Sequence, residues 1–163
     1  MKIYRTITID RPADEIWKLI AHDFDKAELW MDPIPRSCAI GMGEGLDGAP
    51  MAGRLCDLSK NPQGAKVREV ITHYSEAERT LTFDITPINM PALVPMKKNL
   101  ITMAVKQLGG GRCEVSWLAQ PTLKLQDYLL YPLLRLALPM AYGKLLTGLK
   151  RYAEAQPATV SAG

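Results

Sequence analysis

The sequence has few of the residues on which most catalytic and metal centres depend. It contains two histidines and three cysteines among 163 residues, and Cys38, Cys56 and Cys113 lie far apart without forming a Cys-x-x-Cys pair. This spacing argues against a disulfide framework and a zinc site, and it leaves three buried, reduced thiols as the simpler expectation. Because nucleophile, phosphate-loop, dinucleotide-binding and metal-ligand motifs are absent as well, we expect neither a metal nor a cofactor.

Charge of one sign and long apolar runs are also lacking. The formal net charge is +3 and the basic residues are scattered, which is not the pattern of a nucleic-acid-binding protein. The apolar stretch at residues 128–142 is shorter than the roughly 20 residues that cross a bilayer, and Arg135, Pro132 and Pro139 interrupt it. The N-terminal segment alternates in polarity and does not resemble a secretory signal, so a cytoplasmic location is the expectation.

What the sequence does contain is a hydrophobic fraction of 47%, which suffices for one domain with a sizeable core. We predict a single domain over residues 1–155, followed by a disordered tail of small and polar residues at 156–163. Alternating, β-branched segments predict strands at residues 3–9, 37–40, 53–58, 65–74, 80–86, 97–107 and 112–120. The short turns between them favour consecutive antiparallel pairing.

Helices are predicted in two places. Two short ones follow the first strand, and the second of them ends near Trp30. Near the C-terminus, apolar residues recur at helical spacing and form one inward stripe, which consists of Tyr142, Leu145, Leu146, Leu149 and Tyr152. Pro132 and Pro139 are expected to kink or split the apolar segment at residues 123–140. This order predicts an α+β helix-grip fold, in which a curved antiparallel sheet of about seven strands wraps around a long C-terminal helix.

Four segments carry a resemblance to a known superfamily. They are ITIDRPADEIWKLIAHDFDKAELW, AGRLCDL, KVREVITHYSEAERTLTFDI and YGKLLTGLKRYAEA, and they occur in the right order over nearly the whole chain. Together they resemble the START-like superfamily, which is also labelled SRPBCC or polyketide cyclase/dehydrase. The resemblance implies the helix-grip fold and says little about which function that fold serves here.

Two segments are also similar to plant abscisic-acid receptors within that superfamily. They are FDKAELWMDPIPRSCAI and REVITHYSEAERTLTFDI, and in the receptors a basic residue before a Ser-Cys pair and a Glu reach into the ligand cavity. The matching positions are Arg36, before Ser37 and Cys38, and Glu69. The receptors' gate and latch sequences are absent, since the corresponding stretches read SKNPQG and PINMPALVPM. The resemblance therefore implies a cavity with a cation and a carboxylate, and it does not imply hormone sensing.

Strand periodicity indicates independently which side chains face the interior. Glu69, Ile71 and His73 share one face of their strand, and Ile71 suggests that this face is the inner one. A buried carboxylate needs a partner, and Arg54 or Arg36 are the available cations. The sequence leaves open whether Glu69 and Arg54 serve a ligand or form a cross-sheet pair without a ligand role.

These features favour the binding of a hydrophobic or amphipathic small molecule, of lipid, polyketide or isoprenoid type, in a cavity between the sheet and the C-terminal helix. The candidate ligand-binding residues are Arg36, Arg54, Glu69, His73, Phe83, Trp117, Trp30 and Tyr128. Composition leaves open that the interior is an ordinary filled core. The proline-rich loop at residues 87–96 either closes the mouth of a cavity or packs on the core.

The sequence is also compatible with an enzyme or an interaction module. A polyketide cyclase- or dehydratase-like enzyme would use the same cavity, with Glu69 or His73 as general base and Arg36 or Arg54 stabilising an enolate. Residues 123–140 are more apolar than a half-exposed helix requires. They would serve as a lid, as a homodimer surface or as a patch for peripheral membrane contact.

Overall fold

The computed structural model describes residues 1–42, 45–91 and 95–157, and within them the chain forms one seven-stranded antiparallel sheet and a long C-terminal helix. The strands are β1 (Ile3–Ile9), β2 (Arg36–Met42), β3 (Met51–Asp57), β4 (Lys66–Ser75), β5 (Thr80–Ile88), β6 (Met96–Gln107) and β7 (Cys113–Leu123). The helices are α1 (Ala13–Trp17), which a π-helical turn extends (Lys18–His22), and the 25-residue α2 (Tyr131–Ala155). Short 3-10 helices lie at Ala27–Leu29, Leu46–Gly48 and Leu125–Leu130. This order confirms the predicted helix-grip fold. Of the predicted disordered tail, residues 158–163 lie outside the described residues.

The strands of the sheet lie side by side in the order β1-β7-β6-β5-β4-β3-β2. All neighbours except β1 and β7 are therefore consecutive in the chain, as the short turns predicted. β1 pairs with β7 in antiparallel register, with Ile3 opposite Ala119. The C-terminal half of α2 lies beside β1, where Lys150 Nζ donates a hydrogen bond of 2.8 Å to the Thr8 carbonyl oxygen. The helix therefore covers an edge strand whose backbone groups would otherwise be available to other chains.

The core lies between the inner face of the sheet, α1 and the C-terminal half of α2. Its largest fully buried apolar side chains include Trp17, Phe24, Phe83, Leu81, Ile101, Met103, Leu146 and Leu149. β6 and β7 alternate buried and half-exposed residues along most of their length, which is the pattern of strands with one face against a core. Hydrophobic burial on this face, at about 25 cal/mol per Å² of apolar surface, is the main force that holds sheet and helices together.

A bulge in β4 changes which of its side chains face inward. The register with β5 shifts between Ile71 and His73, so that Thr72 is the extra residue on the bulged strand. Beyond the bulge Tyr74 is buried and His73 is exposed. The prediction that His73 faces the interior is therefore wrong, because the strict alternation on which it depended stops at the bulge.

The C-terminal helix begins earlier than the prolines suggested. Pro132 lies in its first turn, where a missing N–H leaves no helical hydrogen bond unmade. Pro139 lies inside the helix, which continues through it, and the Pro139 carbonyl oxygen accepts a hydrogen bond of 3.2 Å from Arg5 Nε. The segment at residues 123–140 is divided next to Pro132, where the 3-10 helix ends and α2 begins, but the helix is not split at Pro139, so the expectation of a split is wrong for Pro139.

The C-terminal half of α2 packs inward as its stripe predicted, with Tyr142, Leu146 and Leu149 buried. Gly148 lies on the same side, and a Cβ atom at this position would stand 2.5 Å from the carbonyl oxygen of Trp30. Only glycine allows the helix backbone to approach so closely. A Cβ atom at Gly143, earlier in the same helix, would meet no heavy atom of another described element within 4 Å.

We expect opposite effects when these two glycines are replaced by alanine. Gly148→Ala should lower the free energy of unfolding by about 1 to 3 kcal/mol, because the new methyl group forces the backbones apart. Gly143→Ala should raise it by up to about 1 kcal/mol, because alanine is the better helix former. Urea denaturation of both variants measures the difference. A Gly148→Ala variant as stable as Gly143→Ala would contradict the close approach.

A carboxylate in the turn after β4 fastens α1 to the sheet. Glu76 accepts hydrogen bonds from Trp17 Nε1 at 2.9 Å and from the Tyr74 hydroxyl, and its carboxylate lies 3.0 Å from His22 Nε2. Partial burial raises the pKa of Glu76, but the bonds from Tyr74, Trp17 and His22 outweigh burial and lower the pKa to about 2. His22 is exposed, as expected, yet it takes part in this cluster.

This cluster predicts a specific dependence of stability on pH. The ordinary pKa of a glutamate is 4.5 and that of folded Glu76 is about 2, so the unfolded chain takes up a proton first as the pH falls. The contribution of Glu76 should be complete above pH 4.5 and disappear as the pH falls towards 2. Urea denaturation across this range should show a smaller loss in Glu76→Gln than in the wild type. Glu78→Gln removes a charge from the same turn and should retain the wild-type profile; equal profiles for both variants would refute the prediction.

The three cysteines are free thiols. Burial raises the pKa of Cys56 to about 12 and that of Cys113 to about 11, which keeps both protonated and unreactive. Cys38 is exposed, so the expectation of three buried thiols is wrong for this one, which lies on the edge strand β2. No helix in the described part of the chain is long and apolar enough to cross a membrane.

Candidate ligand cavity

A cavity of about 220 Å³ lies between the inner face of the sheet and α2. Most of its lining is apolar and consists of Met31, Pro33, Ile34, Leu58, Val67, Ile85, Pro87, Met90, Met96 and Leu145. Four side chains add polar groups to this lining, namely Glu69, Asn99, Trp117 and Tyr142. Part of the wall comes from the proline-rich stretch at residues 87–96, but Pro87 lies in β5 and Met96 in β6, so that only Met90 belongs to a loop; residues 92–94 lie outside the described residues.

The carboxylate of Glu69 is held by a buried guanidinium behind it. Arg54 contacts Glu69 Oε2 through both Nε and Nη2, each at 2.6 Å, and the two residues are 2% and 4% exposed. Arg54 Nη1 also donates a hydrogen bond of 2.7 Å to the carbonyl oxygen of Phe24, and the guanidinium lies 4.0 Å from the centre of the Phe24 ring. Arg54 and Glu69 stand opposite each other on β3 and β4. The wall therefore carries a carboxylate without carrying net charge.

A second polar group lies where α2 meets β6 and β7. Asn99 Nδ2 donates a hydrogen bond of 2.8 Å to the Tyr142 hydroxyl, and the Trp117 ring stacks on the Tyr142 ring at a centroid distance of 5.7 Å. Burial raises the pKa of Tyr142, and the bond from Asn99 lowers it by less, so the phenol stays neutral. Asn99 Oδ1 and Trp117 Nε1 are buried and have no hydrogen-bond partner among the described residues. Such unpaired groups cost free energy, which a polar group of a ligand would recover by pairing with them.

No cluster of three or more histidine, cysteine, aspartate or glutamate side chains that could hold a metal ion occurs in the residues that the structure describes. The side chains that line the cavity offer two kinds of contact. They can surround an apolar molecule, and they can offer a few hydrogen-bonding groups at fixed positions.

A family model described as polyketide cyclase / dehydrase and lipid transport matches residues 1–154. The chain belongs to this family. The match confirms the superfamily resemblance that the four sequence segments carry. A comparison with curated proteins finds no match.

Solved structures share the family fold at low sequence identity. A START superfamily protein from Mycobacterium smegmatis is 13% identical with a TM-score of 0.64, and the match covers 94% of both chains. Truncated norcoclaurine synthase from Thalictrum flavum is 15% identical with a TM-score of 0.66, over 96% of this chain and 95% of that one. The di-domain ARO/CYC BexL from the BE-7585A biosynthetic pathway is 16% identical with a TM-score of 0.73, and 94% of this chain matches 46% of it. At these identities the likeness shows the fold alone.

Half of the predicted site residues lie at the cavity between the sheet and α2 or close to it. Glu69 and Trp117 line the cavity, and Arg54 lies behind Glu69. Phe83 is fully buried, with its ring centre 5.7 Å from the Arg54 guanidinium. Trp30 is buried too, but it is not among the residues that line the cavity.

The remaining three predicted residues lie away from the cavity. Arg36 is exposed at the start of the edge strand β2, so the cavity cation that the receptor resemblance implied is not at this position, and Arg54 lies behind Glu69 without lining the cavity. His73 is exposed because of the bulge in β4. Tyr128 is 59% exposed in the 3-10 helix before α2. Aromatic or basic character alone did not distinguish these surface positions from the interior.

Asn99 lines the cavity and was not among the residues predicted from the sequence. Asn99 shares the inner face of β6 with Ile101, Met103 and Val105, all of which are buried. A polar residue on the apolar face of a strand was the signal that could have found it. The apolar lining residues carried no comparable signal, because core and cavity walls are made from the same side chains.

The Arg54–Glu69 pair gives a prediction about stability. Glu69→Gln or Arg54→Met alone should cost roughly 3 to 5 kcal/mol, because each leaves one buried charge without its partner. The double variant Arg54→Met/Glu69→Gln should cost less than the sum of the two single changes. Urea denaturation of all variants completes the double-mutant cycle. Additive losses would show that the two charges do not stabilise each other.

Proposed function

We propose that this protein binds a small hydrophobic or amphipathic molecule in the cavity between the sheet and α2. The observation that carries the proposal is the cavity itself, a space of about 220 Å³ that is apolar on most sides and has polar groups at two places. An apolar wall with a few fixed polar groups is the usual composition of a small-molecule site. The family description, which includes lipid transport, and the fold that this chain shares with START proteins support the same function.

The volume limits the size of the ligand. A dry cavity of about 150 Å³ takes up benzene, and typical drug-sized sites have about 300 to 1,000 Å³. A space of 220 Å³ therefore fits a molecule of one or two rings or a short branched chain. Met31, Met90 and Met96 are the flexible parts of the wall, and their side chains can move to admit a somewhat larger ligand.

The polar groups limit the chemistry of the ligand. Arg54 already balances the charge of Glu69, the Tyr142 phenol is neutral, and Asn99 and Trp117 contribute only uncharged groups. A charged ligand group would find no uncompensated partner and would lose its hydration on entry. We therefore propose a neutral ligand with a hydroxyl, phenol or carbonyl group, of isoprenoid or polyketide type, rather than a lipid with two long acyl chains.

A cavity-filling variant tests this function. The probe is N-phenyl-1-naphthylamine, a neutral dye whose fluorescence increases in an apolar site. Ile85→Trp places a large ring in the cavity and should weaken dye binding by about tenfold or more. Ile7→Trp is the matched control, because Ile7 is also half-buried against the core but does not line the cavity. The control should bind the dye like the wild type.

Identification of the natural ligand follows from the same variants. Protein purified from its own host should release a small apolar compound on solvent extraction, detected by mass spectrometry, and Ile85→Trp should release much less of it. A thermal unfolding transition in each tryptophan variant shows that the variant is folded. Equal dye binding by both variants, together with no recovered compound, would refute the proposed function.

A cyclase- or dehydratase-like activity in the same cavity is the second candidate, favoured by the position of Glu69 in the wall and by the family description. With His73 and Arg36 exposed, the residues proposed for it reduce to Glu69 as base and Arg54 beside it. The contacts of 2.6 Å from Arg54 occupy the carboxylate of Glu69, so binding without turnover is the preferred function. Chemical change of an extracted compound during incubation with the protein would favour the enzyme.

A further inference from the structure

The first half of α2 carries leucine and methionine side chains that point away from the domain. Leu129, Leu133, Leu136 and Met140 are spaced at i, i+4, i+7 and i+11, which places them along one side of a helix and of the turn before it. Their exposed fractions are 91%, 63%, 72% and 65%. We call these four residues the apolar ridge. Single exposed leucines are common on protein surfaces, but four in a row form a contiguous patch of the kind that marks an interaction site.

Several basic side chains lie near the apolar ridge. Lys144 is exposed one turn after Met140, and Arg135 is exposed within the segment that carries the ridge. Arg135 also lines a surface groove together with Lys2 and Arg5, both of which are exposed. Between Asp127 and Glu154 the sequence contains no aspartate or glutamate, although Asp32 lines a groove together with Lys144. The ridge therefore lies in a region of positive charge.

We propose that the apolar ridge docks the protein onto the surface of an anionic lipid bilayer. The helix would lie in the plane of the interface, with its leucine and methionine side chains among the lipid chains and the cations near the lipid phosphates. Tyr128, 59% exposed just before the ridge, is an aromatic residue of the kind that occupies the headgroup level. This docking does not depend on the cavity or on what the cavity binds.

The charge distribution distinguishes this partner from a second copy of the chain. A symmetric dimer through the ridge would bring the same surface of two chains together, with Arg135 and Lys144 of each copy near those of the other. Like charges that face one another across such an interface repel. An anionic bilayer has the opposite charge and a fluid apolar interior, which complements both parts of the surface.

Vesicle co-sedimentation of the full chain tests the proposal. One set of vesicles contains phosphatidylcholine alone, and the other contains phosphatidylcholine mixed with phosphatidylglycerol. Each cation near an anionic surface raises the affinity about fivefold. Three or four of them should therefore make the affinity for the mixed vesicles more than about tenfold higher than that for phosphatidylcholine alone. Added salt should reduce that preference, because it screens the charges.

Two pairs of variants separate the apolar and the ionic contributions. Leu133→Glu/Leu136→Glu should abolish vesicle binding, whereas the control Leu46→Glu, at an exposed leucine elsewhere, should not. Arg135→Glu/Lys144→Glu should remove the preference for phosphatidylglycerol, whereas Lys60→Glu/Lys106→Glu makes the same change of net charge at distant exposed positions and should leave the preference. All these positions are on the surface, and circular dichroism checks that the variants are folded.

Three results would overturn the proposal. They are absence of binding to both kinds of vesicle, equal binding to both, and a dimer in size-exclusion chromatography that Leu133→Glu/Leu136→Glu dissociates. The proposed cavity function has separate readouts. Ile85→Trp should still sediment with mixed vesicles, and the ridge variants should still bind N-phenyl-1-naphthylamine. Each proposal can therefore fail without affecting the test of the other.

Discussion

The ion pair between Arg54 and Glu69 is the constraint on which the arrangement of the cavity depends. Arg54 lies on β3, its carboxylate partner on β4, and its third hydrogen bond reaches the backbone of Phe24 in the segment after α1. One guanidinium thus fixes two strands and a helical segment at the wall of the cavity. Each partner compensates the other's lost hydration, so the carboxylate can face an apolar space only because the arginine is behind it. The same pairing determines the neutral character of the site.

The fold could be predicted from the sequence because apolar residues recur with a different period in strands and in helices. β5, β6 and β7 alternate with a clear inner face, and the stripe that contains Tyr142, Leu146 and Leu149 is buried as its spacing indicated. The inward position of Glu69 and Trp117 could be predicted for the same reason, since both stand on inner faces of strands. The choice between Arg54 and Arg36 could not be made from spacing, because it depends on which strand lies next to β4 and which forms the edge.

The parts that could not be predicted are local exceptions to periodicity. The extra residue in β4 turns His73 outward, and no feature of the sequence marks a bulge at that place. Glu76 receives its hydrogen bonds from α1 and from β4, segments that only the folded chain brings together. Pro139 is a residue that commonly ends a helix, because it has no N–H to donate to the carbonyl oxygen four residues earlier, yet α2 continues through it.

Helix α2 is one continuous element with two environments. Its second half has buried side chains, a close backbone approach at Gly148 and a hydrogen bond to β1, whereas its first half exposes large apolar side chains and contains a proline. Local stability follows the number of such contacts, so backbone amides in the first half should exchange with solvent through small openings and those in the second half only when the domain unfolds. A single helix thereby joins a well protected part of the domain to a less protected one.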